Sequence, residues 1–165
     1  MKGTLLKRIL VGSMAMGMVG VPLSVLASNT ANQTVTYEVQ AINEIAVSGN
    51  PDALSVSAAV AGQPPTVVSD NTTHYDYTSN QTRKITAVLN TIMPTNVTLK
   101  INLVAPTGGS GGTDVTLTAS AADVVTAIPP VDEATMIITY KLSALSTAGV
   151  VTSAQKTVTL TIVTP

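Results

Sequence analysis

The chain has 165 residues, with nine acidic and eight basic side chains, one histidine and no cysteine, phenylalanine or tryptophan. Without cysteine there is neither a disulfide framework nor an acylated lipoprotein anchor, and a lone histidine does not make a zinc or copper site, which takes several His or Cys ligands. Residues 28–165 hold all nine carboxylates but only Arg83, Lys84, Lys100, Lys141 and Lys156 as cations, a net charge near −4 that argues against nucleic acid or anionic lipid as a partner.

In chain order, the first element is an export signal. Lys2, Lys7 and Arg8 precede residues 9–26, which are apolar or small apart from Ser13 and Ser24; a charged start followed by an apolar run is the pattern of a secretory signal peptide. Val25, Leu26 and Ala27 place small or aliphatic side chains where a signal peptidase reads them. Residues 1–27 are therefore expected to be removed after Ala27, and residues 28–165 to mature as one domain that is secreted, extracellular or at the cell surface, with the periplasm as a further destination. Retention as a membrane helix is the competing reading, and Gly12, Gly17, Gly20 and Pro22 weaken it. Lys2-Gly3 superficially matches a type IV prepilin cut, but Lys7 and Arg8 interrupt the apolar helix such a cut would leave. Residues 157–165 carry no sorting motif or hydrophobic tail. The expectation is no stable membrane anchor after cleavage, and either free release or retention by self-assembly.

The remainder is rich in Thr, Val and Ile, which together exceed a third of residues 28–165. Side chains branched at Cβ suit a pleated, half-buried surface and disfavour helices. Alternation with period two begins at residues 34–41, where Val35, Tyr37, Val39 and Ala41 share one face and Thr34, Thr36, Glu38 and Gln40 the other. It recurs at residues 45–47, 54–60, 73–78, 84–89, 97–104, 115–119, 135–142 and 156–163. In residues 97–104, Val97, Leu99, Ile101 and Leu103 are expected to face inward. Residues 119–125 are the one stretch expected to form a helical turn. Proline and glycine clusters fall between the periodic runs, among them Gly49-Asn50-Pro51, Pro64-Pro65, Pro129-Pro130 and the run Thr107 to Thr113, read as a flexible hairpin tip. The fold class that follows is all-β: a single immunoglobulin-like or pilin-like antiparallel β-sandwich of about 8–9 strands behind a signal peptide.

Few residues offer chemistry. His74 lies between Asp70 and Asp76, but no Gly-x-Ser-x-Gly elbow accompanies it, and a histidine and aspartate two apart on a strand are equally an exposed polar face. Asp70, Asn71 and Asp76, or Asp132 and Glu133, supply oxygens for calcium without the spaced ladder of a known calcium loop. The glycine run is not a phosphate cradle, because no Lys-Ser/Thr follows and a strand comes next. Tyr75 and Tyr77, two apart, would share one strand face and form a small platform on which a sugar ring stacks. Thr-x-Thr steps such as Thr157, Thr159 and Thr161 line up hydroxyls, but no solenoid repeat keeps such an array regular. Sequons at Asn32, Asn71, Asn80 and Asn96 are of the number expected by chance in so threonine-rich a chain. No catalytic, metal or cofactor-binding residue is therefore expected, and no cofactor.

Residues 36–49 (Thr36 through Tyr37, Glu38 and Val39 to Gly49), residues 138–144 around Tyr140, and the closing Gly149-Val150-Val151 with Thr157-Val158-Thr159-Leu160-Thr161 resemble a family of small exported bacterial β-sandwich proteins that carries no assigned activity. The final glycine followed by an alternating Thr/Val strand is more distantly similar to spore-coat-protein-U and pilin-like sandwiches, although the disulfide of many such pilins has no counterpart here. The expectation is an exported, non-enzymatic structural or surface protein that associates with itself through strand addition. Val35, Tyr37, Val39 and Ala41 then form an edge or donor strand, the alternative being that this segment pairs within its own sheet. The second functional expectation is a carbohydrate-binding module for surface glycan, with Tyr75 and Tyr77 as its ligand face.

Overall fold

The computed structural model describes residues 29–165. The expected signal peptide and its cleavage after Ala27 lie outside the described residues. The chain divides into two compact units, Met1–Tyr37 and Glu38–Pro165. The second contains eight strands: β1 (Asn43–Val47), β2 (Val68–Ser79), β3 (Arg83–Leu89), β4 (Val97–Leu103), β5 (Val115–Thr116), β6 (Ala122–Ile128), β7 (Val131–Ala144) and β8 (Val158–Val163), with a single 3₁₀ turn at Ser146–Ala148. They form an antiparallel β-sandwich with a five-stranded sheet in the order β1-β2-β7-β4-β5 and a three-stranded sheet in the order β6-β3-β8.

The alternation read from the sequence is what the two sheets bury. Leu99, Ile101 and Leu103 of β4, Met136, Ile138 and Tyr140 of β7, and Tyr75 and Tyr77 of β2 face Ile85, Ala87 and Leu89 of β3 and Val124, Val125 and Ile128 of β6 across one core. Each buried aliphatic or aromatic side chain contributes about 1.5–3 kcal/mol through surface removed from water. Polar partners alternate outward and pair there: Lys141 Nζ lies 2.9 Å from Asp114 Oδ1, and Lys84 Nζ 3.1 Å from Asp123 Oδ2. The hydrogen bond from the Lys141 ammonium, with a second from the Asn102 amide, holds the Asp114 carboxyl below the usual carboxylate range.

Four expectations are corrected. Residues 119–125 are not a helical turn, because Ala122–Ile128 is strand β6. Val124 and Val125 are both buried where the pairing with β3 slips, and this bulge breaks the period of two. Residues 54–60 form no strand. A lone bridge joins Ala59 to Pro65, closed by Thr66 N–H donating to Ala58 O at 2.8 Å; with Pro64 and Pro65 donating nothing, a ladder cannot propagate. Residues 34–41 also form no strand of their own sheet. The pairing of β1 with β2 runs out at Asn43 and Ser79, after which the chain turns toward β3, so residues 34–41 pair with no strand among the described residues.

The glycine run is the fourth correction, since it is pinned rather than free. Ser110 and Thr126 of β6 exchange both backbone hydrogen bonds at 2.8 Å, Gly112 N–H donates to Leu103 O at 2.8 Å, and Thr107 N–H donates to Glu133 Oε2 at 2.7 Å. The run thereby closes the seam between β4 of one sheet and β6 of the other. Gly108 has φ of +85°, and a Cβ there would lie 2.9 Å from Pro129 Cγ. Gly108→Ala is expected to lower stability by about 1–3 kcal/mol through combined strain and contact. A urea titration checks this, and an unchanged midpoint would show that the loop yields without cost.

Candidate functional site

The two tyrosines read as a sugar platform are in the core. Tyr75 is 0% and Tyr77 1% exposed. They do share one face of β2, as the spacing requires, but it is the inner face, packed against the opposite sheet. The reason is volume: with no Phe or Trp in the chain, tyrosine supplies the bulk that fills the space between the layers. Tyr75 satisfies its hydroxyl by donating to Val104 O at 2.6 Å, and burial together with the nearby Glu133 charge raises its pKa above the ordinary tyrosine value. The Tyr77 hydroxyl has no hydrogen-bond partner among the described residues. Neither ring presents a face to solvent, so the glycan-stacking expectation loses the surface it needs.

The remaining polar candidates serve the scaffold. Asp76 Oδ1 accepts from Thr135 N–H at 2.8 Å, bracing the residue of β7 whose φ is +60°, and Asp70 accepts from the Thr72 hydroxyl at 3.0 Å. His74 joins β2 to the end of β1 through its backbone, N–H donating to Ser48 Oγ at 3.0 Å and carbonyl accepting from Ser48 N–H at 3.0 Å. The clefts among the described residues include two shallow ones. One, of about 190 Å³, is lined by Ile92, Met93, Val97, Leu117 and neighbouring threonines; the other, of about 230 Å³, lies along Ser110, Asp123 and Thr126. The first holds no ionisable group, and in the second the only carboxylate is ion-paired to Lys84.

The donor-strand candidates behave differently. Every residue from Asn29 to Ile42 is exposed, with Val35 at 77%, Tyr37 at 88% and Val39 at 78%. Apolar side chains at this exposure cost solubility without contributing to a core. The root of the segment is nevertheless fixed. Asn80 Nδ2 donates to Gln40 O at 2.7 Å while its Oδ1 accepts from Ile42 N–H at 2.9 Å. This side-chain amide substitutes for one more residue of β2 and carries the ladder of β1 back to Gln40. In the sequence Asn80 is visible only as a sequon, and nothing in the local pattern marks it as a backbone clamp.

The other half of any strand addition is an open sheet edge. β5 has two residues, β1 has five and includes Glu44, and β6 carries Asp123 and is covered at Thr126 by the glycine run. β8 has six residues, Val-Thr-Leu-Thr-Ile-Val, with no charge and no proline, and an unbroken register against β3 from Val163 to Val158. The alternation of β8 is legible in the sequence; its place at an edge is not. Against known proteins, no family model, no curated protein and no solved structure matches this chain.

Proposed function

We propose that this chain is an exported, non-enzymatic structural or surface protein whose copies associate by β-strand addition. One observation carries the reading: residues 33–41 have the alternation of a strand, expose its apolar side, and pair with no strand among the described residues. A segment of this kind gains a full set of backbone hydrogen bonds and buries alternate side chains when it joins another sheet. The distant similarity of the closing strand to pilin-like sandwiches points the same way. Export by the N-terminal leader and the lack of an anchoring cysteine fit a product that is held in place by copies of itself.

Deleting residues 29–41 tests the proposal. The protein, expressed with its own leader and purified after export, is expected to form concentration-dependent oligomers in light scattering, whereas the deletion protein remains a folded monomer with the same β-sheet circular dichroism. Oligomers of equal size without the segment, or a monomeric parent at high concentration, would sink it. Unfolding of the deletion protein as a monomer would equally sink it, because the segment would then belong to its own fold.

A further inference from the structure

We infer that the acceptor is β8: residues 33–41 of one copy add to the free edge of Val158–Val163 in a second copy. This rests on the strand-addition reading and goes beyond it by naming the partner surface.

Natural sheets protect their edges with charges, prolines, bulges, short strands or a covering loop. Three of the four edges here are protected in those ways: β5 by its two-residue length, β6 by Asp123 and the Ser110 bridge, and β1 by Glu44. β8 has none of these devices. Its backbone is also oriented to receive a strand. Asn90 N–H donates to Thr157 O at 2.9 Å, so Thr157 and, by antiparallel alternation, Thr159, Thr161 and Val163 turn their amides and carbonyls toward β3. Val158, Leu160 and Ile162 therefore direct theirs outward, and no partner takes them among the described residues. The side chains of these same three residues are only partly buried against the core.

The two sequences are complementary. An antiparallel addition with Tyr37 opposite Leu160 sets Val35 against Ile162 and Val39 against Val158 on the inner side, and Thr36 against Thr161 and Glu38 against Thr159 on the outer side. Val35, Tyr37 and Val39 each then meet an apolar residue, while Val163 meets Thr34 and Ala41 lies past the strand at Lys156; direct cross-strand pairs are the unit that stabilises a sheet. Charge selects the same edge. Glu38 is the only ionised side chain in residues 29–42; it would meet a carboxylate at β1 or β6 and meets only hydroxyls at β8. Layer balance agrees as well. Three strands oppose five, and β1 leaves Ile45 half-buried and Val47, on the same face, 55% exposed. A fourth strand beside β8 brings the layers closer to equal width. The antiparallel register calls for a second copy: Arg83 Nε donates to Asn43 Oδ1 at 2.7 Å and Lys84 pairs with Val163, so β1 begins beside the Val163 end of β8, whereas the register sets Ala41 at the Lys156 end.

The chain has no cysteine, so engineered disulfides report the contact without background. Glu38 and Thr159 would face each other at a non-hydrogen-bonded position, where Cα atoms approach to about 4.5 Å, within disulfide reach. Full-length Glu38→Cys protein is mixed in turn with Thr159→Cys, Asp123→Cys and Glu44→Cys protein under mild oxidation, with light scattering recorded in parallel. The expected result is a mixed dimer on non-reducing gels severalfold more abundant with Thr159→Cys than with either of the others. Oligomers that cross-link at Asp123→Cys or Glu44→Cys instead would overturn β8 as the acceptor while leaving self-association standing. Absence of oligomers in the parent protein and of cross-links in every mixture would remove both.

Discussion

Replacing Tyr75 by Ala is expected to leave the domain largely unfolded at ordinary temperatures. The side chain is fully buried in β2, within the one core cluster that both sheets share and that has no other kind of large aromatic. Truncating a buried aromatic to alanine costs about 3–5 kcal/mol. Here the change also leaves Val104 O without the hydroxyl that donates to it at 2.6 Å. Against a total stability of about 5–15 kcal/mol for a domain, that loss is most of what holds the fold. The two tyrosines are further separated by their phenylalanine variants. Tyr75→Phe gives up one made hydrogen bond and should cost about 1 kcal/mol, whereas Tyr77→Phe removes a buried hydroxyl that has no partner among the described residues and should be neutral or stabilising. Urea midpoints of the three variants check the order. If Tyr75→Ala unfolds with the parent, the core is organised around something other than this residue.

Alkali is expected to have the second large effect. Burial raises the pKa of Tyr75 and of Tyr140 in the folded state above the ordinary value, because a phenolate has no water to solvate it between the sheets. In the unfolded chain both return to about 10. The folded state thus binds protons that the unfolded chain has released, and stability that is complete below about pH 10 is lost as pH rises toward the folded values. The expected slope is about 1.4 kcal/mol per pH unit for each of the two groups. The share of tyrosinate absorbance that comes from Tyr75 and Tyr140 should therefore rise together with loss of circular dichroism in one cooperative step above pH 10. Tyr140→Phe should make the decline shallower. Ionisation of Tyr75 and Tyr140 before any unfolding would show that the core admits solvent.

The sequence and the structure agree wherever period two controls both. In β4 the alternation of Leu99, Ile101 and Leu103 with polar residues states which face is buried, because one neighbour on each side makes burial a local property of the strand. The pattern misleads where burial depends on partners far away. Tyr75 and Tyr77 sit in a polar stretch with Asp70, His74 and Asp76, which reads as an outer face, yet the inner side of that strand is tyrosine because the opposing sheet leaves room for it. Residues 34–41 alternate as well as any strand in the chain, but alternation records only what a segment suits, and its own sheet offers no neighbour. Residues 119–125 fail for the reverse reason: a bulge places two buried valines in succession, and a strand with a bulge loses the period by which strands are recognised. The edge position of β8 is illegible altogether, since strand order is a property of the whole chain.

That order bears on when the chain can become a sandwich at all. β8 is the last of the eight strands and β3 its only neighbour, so Leu89 must find Val158 and Lys84 must find Val163 across a long stretch of the protein, and β2 likewise waits for β7. With no helix to form early among the described residues and few pairings between adjacent strands, loop closure has to precede almost every favourable contact, which places such topologies among the slow folders, at milliseconds to seconds. The small sheet cannot be completed until Val158–Val163 has left the ribosome. For the exported protein proposed above, crossing a membrane as an open chain, this delay is an advantage, because folding is deferred until the strand that completes the sandwich has arrived on the far side.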